Sequence, residues 1–144
     1  MWKNGDKSEK VKMTWEDFDK ASEVLAKMIT RWEKDHKHDF KGIYCIPRGG
    51  YCLGVKLSHI TGIPLSHIHY QPDILIVDEI CDKGKTLYFH MKHNFPTVKS
   101  AVWHLRSGSI YKPDFVAEKI SHKKFIVYPW ERWSNDLEES EKRI

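Results

Sequence analysis

The segment Ile74-Leu75-Ile76-Val77 constrains the fold more than any other part of the chain. It is apolar throughout and rich in β-branched residues, with no polar residue interposed. A strand with one wet face alternates in polarity, so an unbroken run reads as a strand covered on both sides. Covering both sides calls for helices between successive strands, which makes the sheet parallel. The rest of the chain fits that plan. Thr14-Trp15-Glu16-Asp17 reads as a helix entry with Thr14 as N-cap. Trp15, Phe18, Ser22, Leu25, Met28, Ile29 and Trp32 then recur at spacings of 3 and 4, an amphipathic helix whose tryptophans are expected in the core. Gly42 to Ile46 is predicted as a buried strand, Pro47 to Gly50 as a loop, and Tyr51 to Ile60 as a helix stopped by Thr61-Gly62-Ile63-Pro64. Leu65 to Tyr70 is predicted as a second strand, Thr86 to about His93 as a helix, and Ala101–Leu105 and Phe125–Val127 as further strands. The fold class is therefore α/β: one domain spanning 1–144, with a central, mostly parallel sheet flanked by helices.

Charge and cysteine content narrow the function. The 144 residues carry 24 Lys plus Arg against 20 Asp plus Glu, a formal charge of +4 with both signs interspersed. Nucleic-acid partners demand a basic stripe or block, so none is expected, and a small anionic ligand suits the balance better. No apolar run approaches the roughly 18 residues of a membrane span. The polar, Lys-rich residues 1–12 lack the apolar stretch of a secretory signal and read as a frayed start or an added strand. Cys45, Cys52 and Cys81 show no C-x-x-C spacing, which fits reduced thiols in a cytoplasm. His36-x-His38 has no third ligand nearby to complete a metal site.

Chemistry concentrates after the buried strand, in Asp78-Glu79-Ile80-Cys81-Asp82-Lys83-Gly84-Lys85-Thr86. Ligands of parallel sheets bind beyond the carboxyl ends of the strands, where this loop lies. Backbone N–H groups at the start of the following helix, with the Thr86 hydroxyl and the Lys83 and Lys85 charges, form a phosphate cradle. Asp78 and Glu79 would repel phosphate and suit sugar hydroxyls or a divalent cation instead. Gly84-Lys85-Thr86 also looks like the end of a Walker A loop, but that loop needs a glycine where Glu79 stands.

The whole string resembles the phosphoribosyl-pyrophosphate (PRPP) motif of type I phosphoribosyltransferases, in which a hydrophobic strand runs into two acids, two apolar residues and Asp-Thr-Gly-x-Thr. Here the second acid is Glu79 and the usual Thr is Lys83. Ile46-Pro47-Arg48-Gly49-Gly50 is similar to the family's pyrophosphate loop. Lys112-Pro113-Asp114-Phe115 and Phe125-Ile126-Val127-Tyr128-Pro129-Trp130-Glu131 resemble the end of xanthine-guanine phosphoribosyltransferases. The resemblance runs from about Thr14 to Trp133 and implies a core of about 14–110 with a small C-terminal hood of about 111–135.

What the resemblance implies is transfer of the phosphoribosyl group of PRPP to guanine, xanthine or hypoxanthine, with release of pyrophosphate. Asp82 would be catalytic, taking or sharing the proton of the attacking base. Lys83, Gly84, Lys85 and Thr86 would hold the 5′-phosphate, and Arg48 with Gly49 the pyrophosphate. Asp78 and Glu79 would meet the pentose and orient Mg²⁺, the implied cofactor. Phe125 would stack on the purine, Ile126 and Val127 would offer their backbone to its edge, and Arg106 would contact the 6-oxygen where the family has Lys. Relatives that are dimers or tetramers, with Trp130 and Trp133 as exposed aromatics, imply a homo-oligomer. A binding protein of the same fold without turnover is the alternative. One departure stands out: the family's long mobile lid has no room between His67-Ile68-His69-Tyr70 and the PRPP strand.

Overall fold

The computed structural model describes residues 9–131; Trp133 and the last residues expected for the hood lie outside them. The elements are β1 (Glu9–Lys12), α1 (Trp15–His36), β2 (Gly42–Cys45), α2 (Gly50–Thr61), β3 (Ile74–Cys81), α3 (Lys85–Met91), β4 (Lys99–Arg106), β5 (Phe115–Ile120) and β6 (Lys124–Val127). Strands β2-β3-β4-β5 form the central sheet, and every pairing in it is parallel. β1 and β6 make a separate parallel pair, with Val11 opposite Ile126.

Helix α1 starts where the capping signals put it. The Thr14 hydroxyl accepts the Asp17 N–H at 3.0 Å, and the Asp17 carboxylate accepts the Thr14 N–H at 2.9 Å. Hydrogen bonding from the Thr14 backbone N–H first, and from the Thr14 side chain second, holds the Asp17 carboxyl below its ordinary pKa. Phe18, Leu25 and Ile29 project from α1 into a core shared with Leu53 and Leu57 of α2 and with Ile43, Leu75, Val77 and Trp103 of the sheet. Ile74 and Ile76 point the other way, into a second core with Leu87 of α3, Val98 and Val102. β3 is thus buried on both faces, the condition its unbroken apolar run requires. Trp15 departs from expectation: it lies at the helix start and is mostly exposed, touching Phe18 and Trp130 from outside.

The stretch Leu65–Tyr70 is not a strand. It meets β2 at a single bridge, Ile43 to Leu65, and then turns away. Ser66 is the cause: its hydroxyl accepts the Ile68 N–H at 3.1 Å and donates to the Ile68 carbonyl at 3.0 Å, a local closure that replaces ladder bonds. β5, which the sequence reading passed over, lies inside the expected hood yet forms the fourth strand of the central sheet. The separate hood therefore reduces to β6 and its flanks, joined to β1. Trp130 is half-buried and not an exposed aromatic; it stacks on Tyr128 and meets Phe18 edge-on.

His104 lies on β4 with no exposed surface. Burial, and secondarily the charge of Arg106, lowers its pKa from 6.5 to about 4. Glu118 stands 3.5 Å from its Nε2 but is half exposed, too wet to offset the burial. The unfolded chain therefore takes up this proton first as the pH falls, so the contribution is intact above 6.5 and is lost on descending toward 4. The folded protein is expected to lose at most about 3 kcal/mol over that window on this account. Urea midpoints at pH 7 and pH 4.5 check it, with His104→Asn showing a smaller drop than wild type.

Candidate functional site

β3 ends in charge. Asp78 is only 7% exposed, and its carboxylate accepts the Glu79 N–H at 2.9 Å. Burial first, and the adjacent Glu79 second, push the Asp78 carboxyl up to about 9. Glu79 is half-buried and reaches the surface. Two oxygen donors under this mutual strain fit a hard divalent cation, which would relieve both the burial and the repulsion. Among the described residues no cluster of three or more ligating side chains exists, so the remaining ligands of such an ion would come from substrate and water.

Beyond β3, the loop from Asp82 to Thr86 surrounds a cavity of about 370 Å³ lined also by Asp78 and Glu79. Gly84 sits at φ 90°, in the left-handed region, and reverses the chain into α3. Among the described residues, the N–H groups of Lys83, Gly84, Lys85, Thr86 and Leu87 meet no protein acceptor. Successive N–H groups curled around a left-handed residue form an anion nest. The loop is braced from behind, where the Ile110 N–H donates to the Lys83 carbonyl at 2.9 Å. A Cβ added at Gly84 would come within 2.7 Å of the Tyr111 nitrogen, so side chains are excluded there twice over.

Across the acid pair lies the loop from Pro47 to Gly50. It is anchored to β3 by the Ile46 N–H donating to the Val77 carbonyl at 2.9 Å, and the Pro47–Arg48 peptide bond is cis. The N–H groups of Arg48 and Gly49 also lack protein acceptors among the described residues, and the Arg48 guanidinium is exposed and unpaired there. Gly49 lies so close to Glu79 that a Cβ would run into the carboxylate. A second cavity of about 580 Å³ opens here, lined by Arg48, Gly49, Glu79, Trp130 and Glu131. Glu79 is the wall common to both cavities.

Arg106 ties the loop to the hood. Its Nε pairs with Asp82 at 2.6 Å, and its Nη1 donates to the Ser121 carbonyl at 2.9 Å and the Lys124 carbonyl at 2.5 Å. Three of its five N–H groups are thereby used, and among the described residues Nη2 has no protein acceptor. On β6 the backbone alternates. The Glu9 N–H bonds the Lys123 carbonyl and the Met13 N–H bonds the Val127 carbonyl, both at 2.8 Å. Val127 is therefore turned toward β1, whereas Ile126 shares the side of Lys124, which faces Arg106. Of the two backbones expected at a purine edge, only that of Ile126 faces the side of Arg106. Phe125 is 41% exposed on the same strand. The sequence reading missed Tyr128, whose buried hydroxyl donates to the Glu79 carbonyl at 3.3 Å; as one aromatic in an apolar run it carries no signal of its own.

No protein-family profile and no curated protein sequence matches the chain. Solved structures do. A purine phosphoribosyltransferase from Pyrococcus horikoshii is 28% identical and superposes with a TM-score of 0.73, over 87% of this chain and 96% of that one. The chain has the type I phosphoribosyltransferase fold. The Helicobacter pylori xanthine-guanine-hypoxanthine phosphoribosyltransferase is 24% identical, with a TM-score of 0.68 over 85% of this chain and 93% of that one. A Neisseria gonorrhoeae hypothetical protein with bound ppGpp is 20% identical, with a TM-score of 0.72 over 90% and 93%. The fold is thus similar to that of a purine phosphoribosyltransferase. No helix among the described residues is long and apolar enough to cross a membrane.

Within this phosphoribosyltransferase fold, the loop depends on Gly84. Gly84→Ala is expected to destabilise the protein by about 2 kcal/mol, from the left-handed backbone and the contact with Tyr111 together. Denaturant unfolding measures it, and a loss below about 0.5 kcal/mol would mean that the loop adapts freely.

Proposed function

We propose that this protein transfers the phosphoribosyl group of PRPP to a 6-oxopurine base, releasing pyrophosphate and the nucleoside monophosphate. One observation carries the reading: five successive N–H groups without a partner among the described residues, and a second, Arg-bearing loop, flank the same pair of carboxylates at the centre of a parallel sheet. A sugar bearing phosphate at one end and diphosphate at the other needs that arrangement. The nest at Lys83–Leu87 receives the 5′-phosphate, and Arg48 with Gly49 receives the diphosphate. Asp78 and Glu79 lie between and face the ribose; they would also hold Mg²⁺, which neutralises charge on the departing diphosphate when bound.

The reaction breaks the bond from the ribose anomeric carbon to the diphosphate oxygen and forms one to a purine imidazole nitrogen. The proton on that ring goes to Asp82, held in place by Arg106 at 2.6 Å. Arg106 Nη2 donates to the 6-oxygen, the Ile126 backbone meets the purine edge, and Phe125 covers the ring face. Mixing protein, Mg²⁺, PRPP and guanine, xanthine or hypoxanthine is expected to yield pyrophosphate and nucleotide. Asp82→Asn is expected to lower kcat by about 10² to 10⁴ while leaving PRPP affinity unchanged. Full activity in that variant would remove Asp82 from the chemistry. Assembly as a dimer or tetramer belongs to the same reading, with light scattering as its check.

Nucleotide binding without turnover is the second reading. It is favoured by the short connection, residues 62–73, between α2 and β3, which offers the ribose no long cover against water. The likeness to a ppGpp-bound protein adds to it. Under this reading PRPP or ppGpp raises the melting temperature with no product formed.

A further inference from the structure

Tyr128 follows β6 but works at the end of β3. Its ring is only 3% exposed and stacks on Trp130, centroids 5.1 Å apart and 6° from parallel, so it has one seat. From that seat the hydroxyl donates to the Glu79 carbonyl at 3.3 Å and lies 2.9 Å from His104 Nδ1. A phenol has one proton. With that proton on the Glu79 carbonyl, the oxygen must accept from His104, which places the imidazole hydrogen on Nδ1. His104 Nε2 is then the unprotonated nitrogen; among the described residues it has no hydrogen-bond partner, and the half-exposed Glu118 carboxylate stands 3.5 Å away. The chain of bonds runs in one direction, from the floor of β4 through the hood to the acid pair.

Glu79 needs this support because the sheet does not supply it. The β3–β4 pairing joins Asp78 to Val102 and resumes at Ile80 with His104, leaving Glu79 out of the register. Its carboxylate meanwhile lies against Gly49 in the diphosphate loop, where a small rotation of the peptide would swing it into or out of the cleft shared with Arg48.

We propose that Tyr128, oriented by His104, is a positioning residue that sets the Glu79 peptide for the diphosphate-ribose end of the substrate, so that the hood tunes PRPP binding and not only purine binding. This rests on the phosphoribosyl-transfer reading above. Tyr128→Phe keeps the ring, the stacking and the burial and removes one oxygen. It is expected to raise the KM for PRPP about five- to ten-fold, the worth of one buried hydrogen bond, with the purine KM unchanged. His104→Asn, whose amide N–H stands where Nδ1–H did, is expected to keep the wild-type PRPP KM. His104→Leu should match Tyr128→Phe, and the two together should be no worse than either alone. An unchanged PRPP KM in Tyr128→Phe, or an equal rise in both KM values, overturns the proposal.

Calorimetric titration with PRPP and Mg²⁺ separates this from the parent reading. Equal affinity in wild type and Tyr128→Phe sinks the positioning role and leaves phosphoribosyl transfer standing. No heat with wild type sinks phosphoribosyl transfer, and amide exchange across residues 78–82 of the ligand-free protein then decides the tie by itself. Faster exchange in Tyr128→Phe upholds it; identical exchange refutes it.

Discussion

Two carboxylates emerging from the most buried strand in the molecule set the terms for everything around them. A charge at that place is costly, because Asp78 has left water and Glu79 sits beside it with the same sign. The surroundings answer with geometry. The Glu79 peptide N–H turns back onto Asp78, Gly49 clears space for the Glu79 carboxylate, and Tyr128 fixes the carbonyl between them. An arrangement so heavily constrained around two acids makes sense as a seat for something that needs both.

The site divides its labour by direction along the sheet. On one side of the acid pair, a loop offers a row of backbone donors; on the other, a loop offers two more and the exposed Arg48 guanidinium. Backbone N–H groups recognise an anion with no side-chain entropy to lose, which suits a phosphate that must be gripped in one pose. Arg106 joins these parts to the hood, with three of its donors committed to Asp82, Ser121 and Lys124. Its fork is what lets a single side chain do this; a Lys at the same place has donors on one atom only.

Much of this was legible in the sequence, for physical reasons that differ by element. The β3 run and the α1 repeat are strong because burial on both faces, or on one stripe, writes directly into residue spacing. The Asp78–Thr86 string is strong because strand, acids, glycine and helix must follow in that order. Leu65–Tyr70 misled because its composition suits a strand, while a hydroxyl at Ser66 offers the backbone a cheaper local bond. β5 escaped because Phe115–Ile120 is an edge strand whose two exposed charged residues, Glu118 and Lys119, interrupt its apolar pattern. Tyr128 and His104 escaped for another reason: their role is a contact between residues 24 apart, and no local pattern encodes it. Val127 was placed by motif alone, and only the pairing with β1 shows which way its carbonyl turns.

The turn at Ser66 has an effect on the outer rim of the sheet. β2 is the terminal strand on that side, and a bare terminal strand invites a neighbouring chain to add itself by hydrogen bonding. Here the Ile43 N–H is taken by the Pro64 carbonyl and the Ile43 carbonyl by the Ser66 N–H, at 2.8 and 2.7 Å, before the segment departs. Too short to be a strand, the segment still occupies the bonds at which strand addition would begin. A stretch that fails as secondary structure thus serves as a guard against aggregation.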